Sequence, residues 1–180
     1  MLPEPDKFTR SFLRRVWIAA RLKQPLKWDE EVLARVLEQH TDWHEFWLRA
    51  DELPDDQYLQ DGADPLWHVY THFIVEMMRA VGIETVNQAY DELLEDGYDP
   101  HAALHYMCRV YMETILAEGD EDAATDYKTF AHNLQVYSPR NPDRPAFTHF
   151  PDTEPDLASA DDTELTASNE TDAAITSSSD

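Results

Sequence analysis

Six of the eight histidines in the chain form three His-x-x-x-His pairs: His40 with His44, His68 with His72, and His101 with His105. A spacing of i to i+4 puts two imidazoles on one face of a helix, one turn apart. Neutral imidazole is the commonest side-chain ligand for a metal ion, so the chemistry this spacing suggests is coordination. The pattern is only moderately specific. Neither the His-Glu-x-x-His signature of helical zinc hydrolases nor the paired Glu-x-x-His of di-iron bundles is present.

The elements that must carry these residues are helices. Asp64-Pro65 and Asp99-Pro100 each precede a histidine pair. Aspartate is a favoured helix cap, and proline fits the first helical position because its missing N–H would have no partner there. The helix predicted over 65–81 is apolar nearly all round, from Leu66 to Val81, and should be buried on most sides. Its polar exceptions include one line, His68, His72, Glu76 and Arg79. The helix predicted over 100–117 repeats the pattern with His101, His105, Arg109 and Glu113. Buried polar groups left without partners cost about 1–3 kcal/mol each, so both lines need an explanation.

If the helices alternate in direction, these two run parallel with one helix between them. Aligning the histidines then sets His68 level with His101 and His72 with His105. It also predicts a Glu76–Arg109 pair and an Arg79–Glu113 pair below a four-histidine cluster. The plain structural reading is a polar seam that fixes helix register and binds nothing. The functional reading is a zinc or non-haem iron ion held by His68, His72, His101 and His105. His40 and His44 are further candidate ligands, and Glu76 and Glu113 are candidate ligands or supports. Neutral rings need partners and charged rings would repel. Positions near helix N-termini also favour the neutral, ligating form. Metal is therefore the preferred reading. A metal-bound water or oxygen chemistry is the reaction class to expect if the protein is an enzyme. Haem held by a histidine pair would show a Soret band and ranks last, because the spacing suits a small ion.

The remaining chain is read as support. An amphipathic helix over 4–23 carries Phe8, Phe12, Val16 and Ala20 opposite Arg10, Arg14, Arg15 and Arg21. Asp29 is expected to cap a helix ending near His40, and Thr41-Asp42 to start a short one holding His44 and Trp47. The His40/His44 pair would then straddle a junction. Helices over 84–96 and 121–134 complete the expectation of a single all-α bundle of five to six helices, residues 4–135. From 136 to 180 prolines and then Asp, Glu, Ser and Thr predict a disordered acidic tail, with Phe147-Thr148-His149-Phe150 as a segment able to dock.

Bulk properties narrow the partners. A net charge of −23 argues against nucleic acid or an anionic membrane. Residues 1–27 nevertheless hold seven of the fourteen basic side chains. The alternative function is accordingly a metal-free adaptor whose basic N-terminal helix or acidic tail binds a protein partner. Cys108 is the single cysteine, so no disulfide or Cys-x-x-Cys site exists, and it reads as a small core residue or a soft ligand. With no membrane-length apolar run or secretory leader, a reduced cytoplasmic location is expected.

The order of features resembles a bacterial family of short helical proteins, domain of unknown function 1841. The resemblance runs from about Phe8 to Leu134. It rests on Gln24-Pro25-Leu26, Leu37-Glu38-Gln39-His40 with His44, Asp64-Pro65-Leu66-Trp67-His68 with His72 and Glu76, Ala89-Tyr90-Asp91-Glu92-Leu93-Leu94, and His101/His105 with Glu113. Where the family pattern tends to carry glutamate one turn after the last histidine, this chain has Arg109, which weakens a carboxylate-bridged two-metal reading. The resemblance implies a compact helical bundle and no particular activity.

Overall fold

The computed structural model describes residues 8–54, 65–118 and 127–148. Among them are seven α-helices and no strand: α1 (Arg10–Arg21), α2 (Trp28–Gln39), α3 (His44–Leu48), α4 (Pro65–Ala80), α5 (Glu84–Glu95), α6 (Pro100–Glu118) and α7 (Tyr127–Val136). The count exceeds the expected five to six, with the short helix expected after Thr41-Asp42 present as α3 behind a 3-10 turn at Thr41–Trp43. The Asp64 cap and residues 121–126 of the predicted last helix lie outside the described residues, as does the chain from 149 onward.

Helix α4 is the centre of the bundle, with α2 and α6 as its main neighbours. Ten of its sixteen residues are buried, as its all-round apolar sequence requires. Leu33, Val36 and Leu37 of α2, Phe73 and Ile74 of α4, and Leu104 and Met107 of α6 form the core between them, each no more than 1% exposed. Burying one such side chain contributes about 1.5–3 kcal/mol.

Local chemistry sets the helix ends. Thr9 Oγ1 accepts from the Phe12 N–H at 3.2 Å and caps α1. Helix α2 starts two residues earlier than an Asp29 cap would allow. Glu30 reaches back to the Lys27 N–H at 3.0 Å, and Arg15 holds its other oxygen at 2.7 Å, so Lys27 becomes the cap position. Gly82 (φ 81°) and Gly97 (φ 92°) close α4 and α5 in the left-handed region, where a Cβ would be strained. After each helix the next two N–H groups turn back onto its last free carbonyls, Gly82 to Arg79 and Ile83 to Met78, then Gly97 to Leu94 and Tyr98 to Leu93.

The chain past α7 packs on the helices as far as residue 148. Phe147 is buried against Tyr137 (16° between ring planes, 4.9 Å) and Tyr106, and the Arg109 guanidinium lies 3.8 Å over its ring. Arg140 clamps the segment to the end of α5 through both oxygens of Asp96, one of Glu95 and the Glu92 carbonyl. Proline there excludes a helix without preventing packing.

Candidate metal centre

Five imidazoles converge where the end of α2 meets the first turns of α4 and α6. His40 is the C-cap of α2, with backbone angles of −93° and 69° that leave the helix. His68 and His72 lie on α4, with rings 4.7 Å apart. His101 and His105 lie on the first turns of α6, with rings 4.3 Å apart. Asp99 Oδ1 accepts the backbone N–H groups of His101 at 2.9 Å and Ala102 at 3.0 Å, starting that helix as the Asp-Pro motif predicted. Ring centres of His72 and His105 are 4.5 Å apart, those of His68 and His105 5.1 Å, and those of His72 and His101 5.5 Å. His40 contacts His68, His72 and His101 at 4.9, 4.8 and 5.0 Å.

The predicted level between His72 and His105 is therefore present, while His68 sits beside His105 and is linked to His101 through their shared neighbours His40, His72 and His105. One donor atom from each of His40, His68, His72 and His105 lies within 4.8 Å of the others. The nitrogens of a tetrahedral zinc site, at about 2.0–2.1 Å from the ion, are about 3.3 Å apart.

Hydrogen bonding fixes the direction of His40. Its Nδ1 is 2.7 Å from the Val36 carbonyl, which can only accept, so Nδ1 carries the proton and Nε2 presents its lone pair to the cluster. Metal-bound histidines are held by the same device, a carbonyl taking the second ring N–H. Trp43 stacks on the other side of His40 at 5.4 Å and 13°, and its edge contacts His68. The His40 Nε2 and His68 Nε2 atoms are 2.9 Å apart, and those of His101 and His105 are 2.8 Å apart. His72 is different. It is 0% exposed, and neither ring nitrogen has a hydrogen-bond partner. Trp17 and Trp47 also bury an unpartnered indole N–H and His101 an unpartnered Nδ1, but among the described residues His72 alone leaves two ring nitrogens so placed.

All five imidazoles are neutral at pH 7. Burial, and then repulsion from His40, His105 and His101, holds His68 down at about 3. Burial and the neighbouring His101 and His40 hold His105 at about 4 against the opposing pull of Asp99. Burial drives His72 well below the ordinary value and lowers His40 and His101. Neutral imidazole is the form that binds a cation. In each short Nε2–Nε2 pair one nitrogen carries the proton, and with His40 Nδ1 donating to Val36 it is His68 Nε2 that donates to His40.

The other sequence candidates fall outside this cluster. His44 Nε2 is 3.0 Å from the Glu38 carbonyl, and its ring packs on Trp17. Glu76 binds Arg79 at 2.6 Å, and Arg79 also lies 3.4 Å over Tyr90, so the expected Glu76–Arg109 and Arg79–Glu113 pairs are replaced by one within α4. An i, i+3 partner on the same helix is reached without bringing a second helix into register. Glu113 is 3% exposed, two turns beyond His105, and its charge acts on Tyr137. Cys108 is a buried free thiol whose ionisation burial disfavours, which suits the core reading.

Fold and site together define a helical bundle with an all-imidazole cluster at one end of its central helix. The chain matches the model of the DUF1841 family, a domain of unknown function, over residues 6–136, and it belongs to that family. No curated protein and no solved structure matches it. No helix among the described residues is long and apolar enough to cross a membrane.

Proposed function

We propose that this protein binds one divalent first-row metal ion, zinc or non-haem iron, through His40, His68, His72 and His105. The observation that carries the reading is His72, sealed from solvent with both ring nitrogens unpartnered among three further imidazoles. A seam selected only for register would satisfy its polar atoms. The donor set is all nitrogen. Iron sites that activate oxygen combine two histidines with a carboxylate, and the nearest carboxylate on α4, Glu76, is engaged by Arg79. Zinc is therefore favoured over iron. Such an ion supplies Lewis acidity and a bound water of lowered pKa. His105 is exposed, which gives that side of the cluster access to solvent.

Two other readings fit the structure less well. Imidazoles packed 4.3–5.5 Å apart leave no room for a porphyrin between them. For the adaptor reading, the basic face of α1 is largely engaged, since Arg10 donates to the Leu53 carbonyl, Arg14 pairs with Asp51 and Glu52, and Arg15 pairs with Glu30. The acidic tail, its other proposed element, lies outside the described residues.

The test is His72→Leu, with zinc affinity and the stability of the metal-free protein measured together. The expected result is affinity reduced about a hundredfold or more while metal-free stability rises by about 1 kcal/mol, because an unsatisfied polar ring is replaced by an apolar one. Unchanged affinity would refute the site. A large loss of metal-free stability would mean that the ring is satisfied within the fold.

A further inference from the structure

The cluster holds one imidazole more than a four-coordinate site uses. His101 is outside the set whose donor atoms lie within 4.8 Å, yet its Nε2 is 2.8 Å from Nε2 of His105, which is inside it. The five also differ in access: His40 and His72 are buried, His68 and His101 partly exposed, and His105 exposed. An ion arriving from solvent cannot meet His72 first. Beside this opening stands Asp99, exposed and held in place by two backbone N–H groups. These same contacts keep its carboxylate ionised, and its charge acts on both His101 and His105.

We propose that His101, backed by Asp99, is the capture ligand through which a hydrated divalent cation enters the site, an inference that rests on the metal reading above. The ion exchanges a water for the His101 imidazole under the attraction of Asp99. It passes to His105 across the short gap between their Nε2 atoms and is then enclosed by His68, His40 and His72. Each transfer forms one metal–nitrogen bond as another metal–ligand bond breaks, with no change of oxidation state. His101 also contacts His40 at 5.0 Å, so the ion crosses the cluster without returning to bulk water.

The experiment is stopped-flow mixing of the metal-free full chain with cobalt(II), followed by the visible absorption of the bound ion, for wild type, His101→Ala and Asp99→Asn. Asparagine keeps the helix cap and removes only the charge. His101→Ala should slow uptake about tenfold or more, and Asp99→Asn should slow it severalfold at low salt, as expected when a local field guides a cation. The dissociation constant of His101→Ala should stay within about threefold of wild type with an unchanged cobalt spectrum, since four ligands remain. Unchanged uptake rates would overturn the proposal. So would a dissociation constant raised about a hundredfold, which would make His101 a resident ligand. Wild-type protein that takes up no cobalt or zinc at all would instead remove the metal reading itself, and the capture role with it.

Discussion

The two halves of α4 handle buried polarity in opposite ways. Toward its end, Glu76 holds Arg79 in an ion pair and the guanidinium lies over the Tyr90 ring, although the buried Nε of Arg79 has no hydrogen-bond partner. One turn earlier, His68 and His72 belong to a cluster of five imidazoles whose most buried member has no partner. Both lie in the same stripe on the same helix, and both are poorly exposed. The first pairs opposite charges within the fold, whereas the second gathers neutral rings of one kind, the group that we propose an ion completes.

The comparison breaks most visibly with pH. The ordinary histidine pKa is about 6.5, and the folded values of His68 and His105 are about 3 and about 4. Between these limits the unfolded chain binds more protons than the folded one, so the metal-free fold loses stability as pH falls below about 6.5 and these groups contribute no slope above about 7. For the folded site, protons compete with the ion only near the folded values. Zinc affinity, measured in competition with an indicator, should change little from about pH 8 to about 5.5 and fall steeply near 4. A fall centred on 6.5 would show the imidazoles to be solvated and independent. A smaller effect should come from the other half of the helix. Arg79→Met leaves Glu76 without its cation and should cost about 2 kcal/mol in denaturant melts, with zinc stoichiometry unchanged. Loss of zinc binding in that variant would join the two regions into one network.

Much of this arrangement was legible in the sequence because local rules determine it. The Asp-Pro starts, the i, i+4 histidines and the apolar surround of α4 are short-range patterns, and Asp99, His101 and His105 fall where they predict. Cross-helix register was not legible. Matching charges across α4 and α6 suggested Glu76–Arg109, but a partner three residues away on the same helix satisfies Glu76 more simply. His40 looked peripheral because it ends α2, although its Nδ1 bond to Val36 is what turns its other nitrogen into the cluster. The segment to residue 148 was only partly legible. Its prolines forbid regular structure, but one aromatic, Phe147, and one arginine, Arg140, suffice to bind it to the body.

The most direct measurement is the metal content of the untagged protein, purified without chelator or added metal, beside the His68→Ala, His105→Ala double variant. Near-stoichiometric zinc or iron in the wild type, lost in the double variant, is the predicted result. Metal-free wild-type protein that also fails to bind added zinc or iron would contradict the account and leave the five imidazoles as a structural seam.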